Sequence, residues 1–189
     1  MASDTPFLMP PRVTPVLDPG FRPAALWNRA FADEARRSKN PLPIAIGLEQ
    51  ADGSVFHHST LALPENHPQA KANFTHLERL VKFLLWSRGG FRVHVSGPKH
   101  LAGQLGIYYR ETPTGRFDVS IMGDRVYERP FEVVHAQIVP PARSNSKPLG
   151  RHLNGCRIGF DLGGSDRKVA AVLDGKCVFS EETVWNPVP

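Results

Sequence analysis

Residues 157–176 read Arg157-Ile-Gly-Phe-Asp161-Leu-Gly-Gly-Ser-Asp-Arg-Lys168-Val-Ala-Ala-Val-Leu-Asp-Gly-Lys176. The apolar runs on either side of the two glycines are each typical of a β-strand. The second run ends in Asp174-Gly175, which is typical of a tight hairpin turn, and Cys177-Val-Phe follows as a third strand. We therefore predict three consecutive antiparallel strands within residues 156–181.

The turn of this hairpin has the composition of a phosphate-binding site. Gly163 and Gly164 carry no Cβ atoms, so backbone N–H groups can approach phosphate oxygens closely. Ser165 adds a hydroxyl donor, and Lys168 adds a positive charge. Asp161 ends the first strand, where its carboxylate can hold Mg²⁺ through a water molecule. This pattern predicts a site for a nucleoside triphosphate.

The run Asp161-Leu-Gly-Gly-Ser-x-x-Lys-Val-Ala resembles the first phosphate motif of the actin, sugar-kinase and heat-shock ATPase superfamily, and within it the ROK branch. The resemblance covers residues 155–187. It implies that the hairpin opens a ribonuclease H-like ATPase fold, holds the phosphates of ATP, and binds Mg²⁺ through Asp161. Ser165 stands where the family commonly has threonine, and the charged pair Asp166-Arg167 is unusual for it.

The resemblance implies the N-terminal part of a protein that binds ATP with Mg²⁺ and, when complete, phosphorylates a sugar. The family's second phosphate motif, adenosine motif and catalytic aspartate would lie beyond Pro189, so no catalytic residue is assigned. Residues 1–189 alone are expected to bind nucleotide without turnover. Two alternatives stay open: a non-catalytic, sugar-sensing regulator of the same superfamily, and an interaction scaffold whose hairpin is purely structural.

Composition limits the class of protein. The chain has 189 residues, of which 41% are hydrophobic and 22% charged, as in globular domains. Its net charge of +5 suits anionic partners such as nucleotides. The chain has no block of five like charges, so its charge pattern does not favour nucleic acid as a partner. The two cysteines, Cys156 and Cys177, lack the spacing of a zinc site.

The expected cellular location follows from the segments that the sequence lacks. No apolar window reaches the roughly 18 residues that span a bilayer, and the N-terminus does not resemble a signal peptide. We therefore expect a cytoplasmic protein with no membrane association. Whether it forms a homo-oligomer is left open.

The fold class predicted is α/β, with α+β as the alternative, in four segments. Residues 1–40 form a proline-rich arm and a short helix, and residues 41–139 form a mixed α/β domain. Residues 140–154 have the composition of a linker. Residues 155–189 contain the phosphate hairpin, as the start of an incomplete ATPase-like domain. The three strands of this last segment either join the preceding sheet or begin a further domain.

The mixed domain shows clear local signals. A hairpin is predicted around Gln50–Gly53, and a helix is predicted to begin with Asn73 as its cap and to end before Gly89-Gly90. The further elements predicted are strands at 91–96, 117–122 and 131–139 and a helix at 99–109.

Overall fold

Strand β1, Leu42–Glu49, is at the centre of the first sheet in the computed structural model. It pairs antiparallel with β2, Val55–Ala62, on one side and with β3, Arg92–Ser96, on the other. Strand β4, Glu132–His135, continues the sheet parallel to β3, giving the order β2-β1-β3-β4. The structure therefore confirms the hairpin at Gln50–Gly53 and a mixed α/β architecture.

The structure describes residues 6–145 and 153–186. The chain separates into two compact units, residues 1–146 and 147–189, and this division lies inside the predicted linker. The segment 140–145 belongs to the first unit, because Arg143 exchanges backbone hydrogen bonds with Val55. The predictions that concern residues 1–5, 146–152 and 187–189 lie outside the described residues.

Four α-helices occur in the described part of the first unit: α1 Ala24–Arg37, α2 Ala72–Arg88, α3 Lys99–Glu111 and α4 Pro113–Val119. The residues that α2 and α3 bury form one core with the alternating apolar residues of β1 and β3. The central members of this core, each at most 2% exposed, are Ile44, Ile46, Leu48, Leu77, Val81, Leu85, Val93, Val95 and Leu105.

Asn73 has a different role from the predicted helix cap. Its side-chain oxygen accepts a hydrogen bond from the Leu63 amide at 2.8 Å, and its side-chain nitrogen donates to the Leu63 carbonyl at 2.9 Å. The residue at the cap position is Lys71, whose side chain makes no capping hydrogen bond. Asn73 thus joins the first turn of α2 to the chain that leaves β2.

The prediction of a strand at 117–122 is wrong. These residues continue α4 into a π-helical segment, Ser120–Tyr127. The hydroxyl of Thr112 caps α4 by accepting from the Gly115 amide at 3.0 Å, and Pro113 occupies the first helical position. These start signals outweigh the apolar alternation that favoured a strand. The strand predicted at 131–139 is correct but shorter, at Glu132–His135.

A buried carboxylate joins α4 to α2. Asp118 is 0% exposed and accepts hydrogen bonds from Lys82 Nζ and from Trp86 Nε1, each at 2.9 Å. Trp86 is itself half-exposed, and its ring stacks on Phe117 at 6.1 Å between centroids. Because an unpaired buried charge is costly, these contacts oppose any rotation of α4 away from α2.

A second, aromatic core lies under α1. Trp27 and Phe31 are at most 2% exposed, and the ring of Phe7 meets both edge-on. The proline-rich arm therefore packs on α1 through its first described residues. Farther along the arm, apolar side chains such as Val16 and Leu17 are more than 90% exposed.

His76 of α2 is enclosed by this aromatic core. Its ring stacks on Phe31 at 4.2 Å, and its Nε2 atom shares a hydrogen bond of 3.0 Å with the Thr60 hydroxyl. Its Nδ1 atom is buried and has no hydrogen-bond partner among the described residues. Burial disfavours the charged imidazolium and lowers the pKa of His76 to about 4.

The stability of the first unit should fall as His76 is forced to take up a proton. Between the ordinary pKa of 6.5 and the folded value of about 4, the unfolded chain binds a proton that the folded chain does not. The free energy of unfolding should therefore decrease by about 3 kcal/mol across this window as pH falls. His76→Phe keeps the stacked ring and should remove most of this slope in urea unfolding. The exposed-histidine control His57→Phe should keep it, and equal slopes in both variants would contradict the assignment.

The second unit is a separate antiparallel sheet of β5, Cys156–Leu162, β6, Asp166–Leu173, and β7, Lys176–Val184. Among the described residues these three strands pair only with one another, in the order β5-β6-β7. Residues directly opposite each other share a face, so the register puts large apolar side chains on one face. The most exposed of them are Ile158, Phe160, Leu162 and Phe179, at 50–73%.

Candidate phosphate-binding site

The turn between β5 and β6 offers two amides and a hydroxyl. Gly163 N donates to Asp166 O at 2.9 Å, so this amide closes the turn and is not available to a ligand. Within the residues the structure describes, the amides of Gly164 and Ser165 donate no hydrogen bond, and the exposed Ser165 hydroxyl makes none. The turn can therefore offer three donors to an anion.

The two glycines have different reasons for lacking a side chain. A Cβ at Gly163 would lie 3.0 Å from Asp166 O, a contact that requires the closed turn to shift. A Cβ at Gly164 would meet no heavy atom within 4 Å, so the space beside this residue is open. Gly163 thus serves the turn, whereas Gly164 leaves room for an approaching group.

Trp185, which the sequence did not indicate, holds the turn from behind. Its Nε1 atom donates to the Gly163 carbonyl at 2.8 Å, and its backbone amide donates to the Ser165 carbonyl at 3.1 Å. In a trans peptide the C=O and the following N–H point in opposite directions. Because Trp185 binds the Gly163 carbonyl, the Gly164 amide points away from Trp185. The strand register that brings Trp185 to the turn could not be predicted from the residue types in this segment.

Lys168 is not the free cation that the sequence predicted. Its Nζ atom lies 3.3 Å from Asp166 Oδ1 and 3.7 Å from Glu182 Oε1, and the register sets it directly opposite Asp161. The hydrogen bond with Asp166, followed by the nearby negative charges, raises the pKa of Lys168. Lys168 is therefore charged at neutral pH and already balanced by carboxylates.

Asp161 is the carboxylate best placed to serve a metal. It is exposed at the end of β5, and its side-chain oxygens make no hydrogen bond or ion pair with the described residues. Among those residues, no group of three or more potential ligands is arranged to hold an ion. One free carboxylate fits Mg²⁺, which keeps most of its waters and takes further oxygens from phosphates.

A shallow depression adjoins this row of charges. Gly159, Ala170 and Ser180 lie opposite one another across the three strands and form its floor. Asp161 and Lys168 line its side, and its volume is about 470 Å³. A ligand bound at the turn would have space to continue along this face of the sheet.

Comparison of the chain with protein-family models, curated proteins and solved structures finds no match. No helix in the described residues combines the length and apolar character needed to cross a membrane. Cys156 and Cys177 are both free and exposed.

Trp185→Phe should loosen the turn while keeping an aromatic ring in place. The change removes the hydrogen bond to the Gly163 carbonyl, which is worth about 1 kcal/mol. Amide exchange at Gly163, measured by NMR, should therefore accelerate about fivefold. The control Trp86→Phe removes an indole N–H from the first unit and should leave this exchange rate unchanged. Unaltered exchange in Trp185→Phe would show that the indole does not hold the turn.

Proposed function

We propose that the turn Gly163–Ser165 binds the phosphates of ATP together with Mg²⁺, as the resemblance to ROK-type sugar kinases implies. The observation that carries this proposal is the Gly164 amide, which donates no hydrogen bond among the described residues. It points away from the Gly163 carbonyl that Trp185 binds. The Ser165 amide and hydroxyl add two donors beside it. Donors of this kind, fixed before the ligand arrives, stabilise phosphate oxygens without reorganisation.

In this proposal Asp161 accepts hydrogen bonds from the water molecules of Mg²⁺. The ion, when bound, neutralises phosphate charge and favours transfer of the terminal phosphoryl group. Lys168 limits the repulsion that Asp166 and Glu182 would otherwise exert on a phosphate. The sugar acceptor and the catalytic base of the family are not assigned to any residue of this chain.

The finer fold belongs to the same proposal. Strands β5–β7 would be the opening strands of a ribonuclease H-like ATPase domain, following a mixed α/β unit of different topology. The apolar face of β5–β7 suits a sheet that packs against a further layer. A cytoplasmic location, where ATP and Mg²⁺ are present, fits this activity.

One observation favours the non-catalytic alternative. Asp161, Asp166 and Glu182 outnumber Lys168 around the turn, so the local charge is negative. A sugar-sensing regulator or interaction scaffold of the same superfamily would retain the shape of the turn without requiring tight phosphate binding. The effect of metal on nucleotide affinity separates the two functions.

Calorimetric titration of the full chain with ATP tests the proposal. Binding should require Mg²⁺, and Asp161→Asn should weaken it about tenfold by removing the partner of the metal-bound waters. Glu111→Gln is the control, because it neutralises an exposed carboxylate of the first unit that does not line the depression. The proposal is contradicted if ATP does not bind, or if Asp161→Asn binds as well as Glu111→Gln.

A second variant tests the charge balance at the turn. The double change Asp166→Asn and Glu182→Gln removes both ion-pair partners of Lys168 and leaves its ammonium available. Affinity for ATP at low salt should rise about fivefold, since exposed charges contribute modestly and are screened. Adding Lys168→Met should reduce the gain, because only the relief of repulsion from the two carboxylates would remain. An affinity that does not respond to the double change would place the phosphates elsewhere.

A further inference from the structure

The first unit contains a cleft of about 690 Å³ between α3, α4 and strand β4. It is separate from the phosphate turn and does not rest on the proposed function. Two arginines, a buried tyrosine and several apolar side chains line it; the residues used below are Gly106, Tyr109, Arg110, Arg116, Phe131 and Val133. Its volume is in the range of small-molecule sites, about 300–1,000 Å³.

The cleft carries two positive charges without compensation. Arg110 and Arg116 are both exposed, and their side chains make no ion pair, hydrogen bond or contact over an aromatic ring with any described residue. The one acid that lines the cleft is Glu132, which is engaged by Arg92 Nε at 2.7 Å. An anion entering the cleft would therefore find two guanidinium groups free to bind it.

The exposed guanidinium of Arg110 lies beside Gly106 in the cleft. The side chain of a helical residue leans toward the preceding turn of the helix. For Arg110 this preceding turn contains Gly106, four residues earlier. A Cβ at Gly106 would lie 3.5 Å from Arg110 Nη1 and 3.9 Å from Val133 Cβ. The Arg110 guanidinium therefore lies close to Gly106, where no side chain separates α3 from β4.

Tyr109 contributes a buried aromatic ring to the same cleft. The residue is 2% exposed, and its ring packs against Phe131, with centroids 5.0 Å apart. Its hydroxyl is buried and has no hydrogen-bond partner among the described residues, so it is closed off from a ligand in the cleft.

From these features we propose that the cleft binds a small organic anion. The two arginines would hold a carboxylate or phosphate group. The apolar walls formed by Phe131 and Val133 would cover an apolar body of about the size of one aromatic ring. Arginine suits both anionic groups because its planar fork binds either through two parallel hydrogen bonds.

The test is an NMR titration of the ¹⁵N-labelled full chain with benzoate, phenyl phosphate and the neutral benzamide. The two anions should give saturable shifts at the amides of Gly106 and Val133, and benzamide should not. Arg110→Gln with Arg116→Gln should weaken binding about tenfold or more, since two charge-assisted hydrogen bonds are lost. The control Arg125→Gln, which removes an exposed arginine outside the cleft, should leave the affinity unchanged.

Two further variants test the position of the ligand. Gly106→Leu fills the floor of the cleft without removing charge and should block binding, while Tyr109→Phe keeps the ring that lines the cleft and should leave the affinity unchanged. Shifts at Gly164 and Ser165, which would report phenyl phosphate at the other site, are read separately. Binding of one anion but not the other supports the proposal and identifies the charged group. Equal binding of benzamide, or equal affinity in the Arg110/Arg116 and Arg125 variants, overturns it.

Discussion

Burial of one face of β1 beneath α2 and α3 is the interaction on which the first unit depends. Ile46 and Leu48 are 0% exposed, and Ile44 is 2% exposed. Each such side chain contributes about 1.5–3 kcal/mol when removed from water. Because β1 pairs with both β2 and β3, this burial also sets where the remaining strands and helices lie. The cleft beside β4 exists because α3 is held over the sheet in this way.

The second unit uses a different means of ordering its chain. Its three strands cover few of their own apolar side chains, and its turn is held by hydrogen bonds rather than by packing. Gly163 closes the turn from inside, and Trp185 binds two of its carbonyls from behind. The planarity of the peptide then decides where the Gly164 amide points. In the proposed site, Trp185 would thus orient the Gly164 amide without contacting the ligand itself.

The two candidate sites show that the sequence around a positively charged residue does not reveal whether that residue is paired in the fold. Lys168 belongs to a glycine-rich motif typical of phosphate binding, yet carboxylates already balance it. Arg110 and Arg116 belong to no recognised motif, yet neither has a partner among the described residues. Whether a positively charged side chain is free to bind an anion depends on which acidic side chains the fold places near it. The reason is that the attraction between opposite charges decreases with distance.

The sequence alone determined the elements whose signals are local: the β1–β2 hairpin with its Asp-Gly turn, the long helix α2, and the three strands β5–β7. It also predicted the turn between β5 and β6 from Gly163 and Gly164. Only the tertiary structure decided that Lys168 is paired with Glu182 and that Trp185 reaches the turn. The physical reason is range: periodicity and turn chemistry act over a few residues. Register, burial and charge pairing instead join residues far apart in the chain, as Asp118 joins Lys82.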